Sequence, residues 1–467
     1  MKKIHFLLAV FCILLLSVSC KKESFITSAD ARLGLSSDTI KFDTIFTSIG
    51  SVTKSFKIIN GNDQRLKISS LKLMGGNTSP FKINVNGIAA GEVNNIDIAA
   101  NDSIYIFVSV TVNQSNANLP FILSDSIAVN YNGNTRFVQL QAFGQNANFL
   151  TNNIITGNTT WSSSLPYVIL GGLRVGGAAT LTIPAGTKIY SHGNAPFIVD
   201  GTLLVNGTKA NEVFFAGDRL DDPYSNLPAS WPGIFFRSSS KNNQVKFAVI
   251  KNAYQAVVVQ QPSVNTNPKL IIRQSIIDNA FDAGLLCTNT NVQADNCLIS
   301  NCGSNILIQL GGNYTFTNCT SASYSNTYLL RKMPVLSAAN FMEVNAVNVT
   351  ANLNALFRNC IFWGDNSSID NEVIINKQGG NSFNVSLDHC LYKAIVDPPN
   401  AALTSVIKNQ DPLFDSIDVT HKYYDFRITK NAAAPVINKG NVTSFLKDLD
   451  DKNRSNGLPD MGCYEKQ

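Results

Sequence analysis

From about Ser36 to Gln145, hydrophobic and polar residues alternate with period two. Ile40–Phe46, Lys54–Asn60, Ser103–Val110 and Phe137–Leu140 each turn every second side chain to one face, the pattern of a half-buried strand. Gly61-Asn62-Asp63, Gly75-Gly76-Asn77 and Asn132-Gly133-Asn134 break the runs as turns. Short strands at this spacing predict a β-sandwich. From about Asn148 the pattern changes. Tyr167–Val175, Ala179–Ile189, Phe197–Thr208, Val213–Ala216 and Trp231–Phe236 are short apolar runs separated by Gly or Asn. Such corners suit a coil that bends at every turn, because Gly and Asn tolerate left-handed backbone angles.

This second region repeats itself. Lys246–Ala253 aligns with Arg273–Ala280 and Asp295–Cys302, and then with fragments around Cys319, Cys360 and Cys390. The shared register carries Ala248, Ser275, Cys297, Cys319, Cys360 and Cys390, at steps of 27, 22, 22, 41 and 30 residues. Steps of 22 to 30 residues read as one turn of a solenoid, and the step of 41 reads as two. Neighbouring coils hydrogen-bond at about 4.8 Å, so equivalent positions stack into ladders. All six ladder residues are small, and all but Cys319 are followed two positions on by an apolar or aromatic residue. This predicts an inward column of small side chains. It accounts for most of the seven cysteines after Cys20 as buried free thiols. A four-thiolate metal site lacks the paired Cys-x-x-Cys spacing it needs.

Composition agrees. Charged residues make up 15% of the 467, against about 25% in an average soluble protein. Hydrophobic content is 44%, and 55 residues are Asn. The missing charge argues against exposed helices, and the apolar content argues against disorder. A net charge of +5, with no basic run longer than Lys21-Lys22, gives no sign of nucleic-acid binding. The expected class is all-β.

Lys2 and Lys3 precede the apolar run Ile4–Leu16, which is too short to span a bilayer and reads as a secretory leader. Leu16-Ser17-Val18-Ser19-Cys20 resembles a bacterial lipobox, although Ser17 stands where the commonest pattern has Leu or Val. The resemblance implies lipidation of Cys20 and a lipid bilayer as partner. Ordinary signal cleavage near Ser19 is the alternative. Removing residues 1–19 takes away Lys2 and Lys3 and lowers the formal charge to about +3. A lipid-anchored, Asn-rich β protein resembles the envelope proteins of Bacteroidota, which implies an outer-membrane lipoprotein, periplasmic or surface-exposed. The first strand region, with Phe42-Asp43-Thr44-Ile45, Phe56–Asn60, Ser79–Ile83 and the closing Leu140–Gly144, resembles Hydin-like immunoglobulin-type domains. The coil region resembles right-handed parallel β-helix proteins of the pectin-lyase-like fold. Asn409–Phe414, Asp448–Arg454 and Pro459–Glu465 resemble the closing segment of bacterial β-helix proteins, with Cys463 in place of the usual Ala.

These readings give a leader at 1–19, a tether at 20–35, an immunoglobulin-like sandwich at 36–147, a β-helix at 148–404 and a capping segment at 405–467, where Arg454 is expected to pair with Asp450 or Asp460.

Chemistry is sparse. The pectin-lyase-like hydrolases carry Asn-Thr-Asp, Asp-Asp, Gly-His-Gly and Arg-Ile-Lys motifs, built around paired carboxylates. Here Asp221-Asp222 and Ser191-His192-Gly193 lack the right neighbours and order, and Arg-Ile-Lys is absent. Lyases of the fold need a Lys or Arg base and often Ca²⁺ held by an acidic cluster. Lys251 and Asp278 fall on equivalent ladder positions, with Arg273 nearby, and Arg331-Lys332 lies in an irregular stretch. Solvated surface pairs and a solvated loop are the plainer readings of these residues, and the acidic cluster is missing. Trp231, Phe362, Trp363 and Tyr392 raise sugar stacking; Trp231 is expected in the core, and Trp363 and Tyr392 are the glycan-contact candidates. The expected function is therefore non-catalytic binding of polysaccharide or another surface component, without cofactor. The alternative is a polysaccharide lyase acting on acidic glycans, with Ca²⁺ if that holds.

Overall fold

The computed structural model describes residues 24–47, 50–113, 121–365, 369–430, 432–454 and 457–466. The expected leader and the expected lipidation site, Cys20, lie outside these described residues. The chain divides into two compact units, Met1–Asn146 and Ala147–Gln467.

In the first unit two sheets enclose one apolar core. One holds Phe25–Ile26, Arg65–Leu73, Phe121–Tyr131, Asn134–Gln145 and Thr39–Phe46, with Glu92–Ile98 beside Arg65–Leu73. The other holds Leu33–Leu35, Lys54–Asn60, Ser103–Val110, Phe81–Val85 and Ile88–Ala89. Alternation sends Phe56, Ile58, Ile106, Val108, Leu140 and Ala142 inward, all 2% exposed or less. The expected tether is shorter than the sequence suggested. Phe25–Ile26 pairs with Arg65–Leu66, and Leu33–Leu35 pairs with Ile58–Asn60, so both join the sandwich.

The second unit is a parallel β-helix solenoid. Its 26 strands form one continuous sheet in which every neighbouring pair is parallel. Each coil contributes to three faces. Phe197–Val199, Ile234–Phe236 and their successors build the first face. Thr202–Asn206, Asn243–Lys246 and Leu270–Arg273 continue on the second. Ala248–Lys251, Ile276–Asp278, Leu298–Ser300, Thr320–Ser323, Ile361–Gly364 and Leu391–Tyr392 stack on the third.

The strand register pairs Ile276 with Leu298, Leu298 with Thr320, Thr320 with Ile361 and Ile361 with Leu391. The residue before each therefore stacks as Ser275, Cys297, Cys319, Cys360 and Cys390, the column read from the repeat. Each is 2% exposed or less. All seven described cysteines are free and buried. Burial pushes the thiols of Cys287 and Cys302 far up and that of Cys463 up to about 12, so they behave as small apolar side chains. Two positions on, Ile250, Ile277, Ile299, Phe362 and Tyr392 also point inward and are buried. Phe357 bridges faces, stacked on Phe316 at 5.1 Å and edge-on to Phe362 at 5.6 Å. Each such fully buried large side chain contributes roughly 1.5–3 kcal/mol.

The step of 41 residues is one coil, not two: Thr320–Ser323 pairs directly with Ile361–Gly364. The extra length is an irregular excursion after Ser323 and a hairpin of Phe341–Val344 with Val347–Thr350. Inserted loops leave the ladder intact, so spacing alone overcounts coils.

Left-handed corners flank the third face on both sides. Asn296, Asn318 and Asn359 enter it at φ of 51°, 54° and 54°, and Asn252, Asn279 and Asn301 leave it at 63°, 56° and 52°. Asn is the non-glycine residue that adopts this conformation most readily. Residues 405–467, expected to cover the open end of the solenoid, pack along its flank. After Ile407–Lys408 adds a last rung, the chain doubles back over the outward side of the third face. Phe426, Leu449, Cys463 and Tyr464 pack on Leu298 and Ala322, while Ile428, Val436 and Met461 pack on Ile361 and Leu391. The strap reaches back as far as Lys209, which pairs with Asp450 at 3.0 Å. Arg454 is buried beneath it and pairs with Glu465 at 3.0 Å, not with the side chains of Asp450 or Asp460. Its Nη2 donates to Asn296 Oδ1 at 2.7 Å and to the Gly462 carbonyl at 3.0 Å.

Candidate functional site

The third face brings two of the sequence candidates together. Lys251 and Asp278 are register partners on adjacent coils. They line a cleft of about 110 Å³ at the exit corner, with Asn226, Asn252, Asn279, Asn301, Asn326, Tyr328, Lys422 and Tyr424. The repeat supplies one wall, the excursion after Ser323 supplies Asn326 and Tyr328, and the returning strap supplies Lys422 and Tyr424.

The asparagines form a hydrogen-bonded column. Asn279 Nδ2 donates to Asn252 Oδ1 at 2.8 Å and to the Asn226 carbonyl at 3.0 Å. Asn252 Nδ2 donates to the Ser225 carbonyl at 2.7 Å. Asp278 Oδ1 accepts from Ser300 Oγ at 2.7 Å and Asn301 Nδ2 at 3.1 Å. Burial pushes this carboxyl above its ordinary range; those two bonds and the charge of Lys251 act in the opposite direction. Lys422 Nζ stands 3.4 Å from the centroid of the Tyr328 ring, a cation–π contact that fixes both side chains at the rim.

Two residues past each of Asn252 and Asn279 stand Tyr254 and Phe281, on successive coils. They are 47% and 45% exposed, and their rings stack at 5.7 Å with a 23° interplanar angle. A polar cleft and an exposed aromatic pair thus share one corner of the solenoid.

The other candidates lie elsewhere. Arg273 is on the second face, paired with buried Asp295 at 3.0 Å. Arg331 does not reach solvent: it is 1% exposed, pairs with Glu372 at 2.5 Å and Asp365 at 3.0 Å, and donates to the Ser323 carbonyl at 2.9 Å. A Cβ at Gly364 would collide with Glu372 Oε1 and Arg331 Nη1, so glycine there makes room for the ion pair. An arginine held this way is a structural clamp and contacts no glycan.

Tyr392 is corrected as well. It sits two positions after Cys390, hence on the inward row, is 1% exposed, and donates to Asp397 Oδ1 at 2.7 Å. Trp363 faces outward, as expected, but is half-buried against the strap near Phe414, with Lys393 Nζ 5.9 Å from its ring. It offers no open platform. Trp231 is buried, and its indole N–H donates to the Lys251 carbonyl at 2.9 Å. His192 pairs with Asp218 at 2.7 Å, Asp221 pairs with Arg219 at 2.7 Å, and neither His192 nor Asp221 lines the cleft beside Asp278. Among the described residues, no group of three or more His, Cys, Asp and Glu is placed to hold a metal ion.

Sequence reasoning passed over Tyr254 and Phe281. The signal lay one residue beyond the aligned phrases, because both aromatics follow the Ala that closes each phrase. Tyr328, Lys422 and Tyr424 carry no such signal, since they reach the corner through an irregular loop and a strap joined to the repeat only by tertiary packing.

No family model matches the chain, and no curated protein matches it. Solved structures similar to parts of it include a family 123 glycoside hydrolase from Clostridium perfringens, described for glycolipid glycan hydrolysis, at 13% identity and a TM-score of 0.19, covering 25% of this chain. The chain spans 30% of the length of that enzyme. Another is an ASH/PapD-like domain of human CEP192, at 10% identity and a TM-score of 0.18, covering 27% of this chain and 91% of that one. A third is the catalytic unit of a thermostable GH87 α-1,3-glucanase from Streptomyces thermodiastaticus, at 9% identity and a TM-score of 0.18, covering 79% of this chain and 91% of that one.

Proposed function

We propose that the chain is a lipid-anchored envelope protein whose solenoid binds an oligosaccharide at the exit corner of its third face. The observation that carries this is the stacked, exposed Tyr254–Phe281 pair beside the cleft of Lys251, Asp278 and the asparagine column. Aromatic faces take the apolar faces of sugar rings, while amide, hydroxyl and ammonium groups take their hydroxyls. Binding suits the site better than hydrolysis. Among the described residues, Asp278 is the one carboxylate lining the cleft, and hydrolysis by paired carboxylates needs two. The first unit then acts as an immunoglobulin-like spacer, and Cys20 as the lipidated terminus.

The test is a glycan array followed by calorimetry on the chain without its leader. Binding is expected, and Tyr254→Ala with Phe281→Ala is expected to weaken it about tenfold. No binding to any glycan, or no bound glycan whose affinity these changes weaken, ends the reading. Ultraviolet-absorbing unsaturated product that disappears in Lys251→Ala replaces it with lyase chemistry. For the anchor, labelled palmitate should enter the parent and not Cys20→Ala; an unlabelled parent removes that part.

A further inference from the structure

The sandwich carries a feature that the solenoid site does not explain. None of the five strands in its second sheet contains Asp or Glu. The other sheet carries Asp43, Glu92, Asp97 and Asp125. Since Phe56, Ile58, Ile106 and Val108 fill the core, alternation turns Lys57, Tyr105, Phe107 and Lys82 outward.

These four lie on a diagonal. Lys57 is directly opposite Tyr105, with its Nζ 4.8 Å from the ring centroid. Tyr105 and Phe107 are 45% and 41% exposed, and their rings stack at 5.9 Å. Lys82 is opposite Ser109, one step past Phe107 on the neighbouring strand. Beside Phe107 a concavity of about 530 Å³ is lined by Lys82, Asn84, Ser109 and Thr53.

We infer that this face binds an anionic oligosaccharide, with sugar rings on Tyr105 and Phe107 and acidic groups on the ammoniums of Lys57 and Lys82. Two adjacent exposed aromatics are costly to leave in water, which marks a contact surface. Cations with no carboxylate among them select a negative partner. A second copy of the same face would oppose lysine to lysine, so self-association is disfavoured. The amide and hydroxyls of Asn84, Ser109 and Thr53 match a hydroxyl-rich ligand.

The experiment uses the chain without its leader, with polygalacturonate, heparin and carboxyl-reduced polygalacturonate as probes in affinity electrophoresis and calorimetry. The parent is expected to bind at least one acidic polymer, to ignore the reduced one, and to lose affinity as salt rises. Lys57→Gln with Lys82→Gln is expected to weaken binding about tenfold. Tyr105→Ser with Phe107→Ser should do the same, while Tyr254→Ala with Phe281→Ala leaves it unchanged. That last pair separates this face from the solenoid site. Thermal melts check folding; if a double variant melts early, Lys82→Gln alone decides, with about a threefold loss. The inference is overturned by no acidic binding, by equal binding to the reduced polymer, or by loss in the solenoid pair but not the sandwich pairs. Sedimentation that reveals a dimer dissolved by Phe107→Ser overturns it too.

Discussion

The two corners of the third face are built alike and used differently. Asn296, Asn318 and Asn359 at the entry corner, and Asn252, Asn279 and Asn301 at the exit corner, share the left-handed backbone. The entry corner lies under the strap. Asn359 donates to the Asn441 carbonyl at 2.8 Å and accepts from its N–H at 2.7 Å; Asn318 meets Thr443, and Asn296 meets Arg454. At the exit corner the asparagines bond to one another and to the Ser225–Asn226 loop, and they border an open cleft. Local conformation chose Asn at both corners. Which corner stayed open was decided by where the C-terminal segment packs.

Breaking the covered corner should cost most. Arg454→Ala removes the cation that neutralises the buried Glu465 carboxylate, and urea denaturation should show a loss of about 3–5 kcal/mol. Asn359→Ala removes the side-chain bonds to Asn318 and Asn441 and forces alanine into a left-handed angle, for a loss of about 2–3 kcal/mol by the same assay.

A pH series sharpens the contrast. Asp295, next to the entry corner, is pushed up to about 6 chiefly by burial, despite its bond to Arg273. A raised carboxyl stabilises the fold fully below the unfolded value and loses that contribution as pH climbs through the folded one. Stability should therefore fall between about pH 4 and 6 by on the order of 2 to 3 kcal/mol, and Asp295→Asn should flatten that slope. Asn279→Ala at the open corner should cost about 1–2 kcal/mol, with Asn279→Gly restoring part of it. Smallest of all, Tyr254→Ala with Phe281→Ala should shift stability by about 0.5 kcal/mol or less, alongside the roughly tenfold weakening expected of oligosaccharide binding at the solenoid corner.

The ladder was legible because stacking repeats a chemical requirement at every coil. Small residues recur inward at Ser275, Cys297 and Cys360, and Asn recurs at the bends, so one chain carries several readings of the same position. The misplacement of Tyr392 came from neglecting that same alternation: two positions after a ladder residue is inside. Arg331 and Trp363 were not legible. Their surroundings, Glu372 for one and Phe414 for the other, come from segments that the repeat does not index. The cleft was half legible for the same reason, with Lys251 and Asp278 on the ladder and Tyr328 and Lys422 off it. The scarcity of charge fits the ladder too, since like charges on successive coils repel.

The most direct measurement is hydrogen–deuterium exchange of the chain lacking residues 1–19, with and without an oligosaccharide whose binding Tyr254→Ala with Phe281→Ala weakens. Added protection is expected at Lys251–Tyr254, Asp278–Phe281 and the stretch around Tyr328, with the entry corner around Asn318 and Asn359 unchanged. Protection confined to the entry corner or the first face, with none at Tyr254 and Phe281, would contradict it.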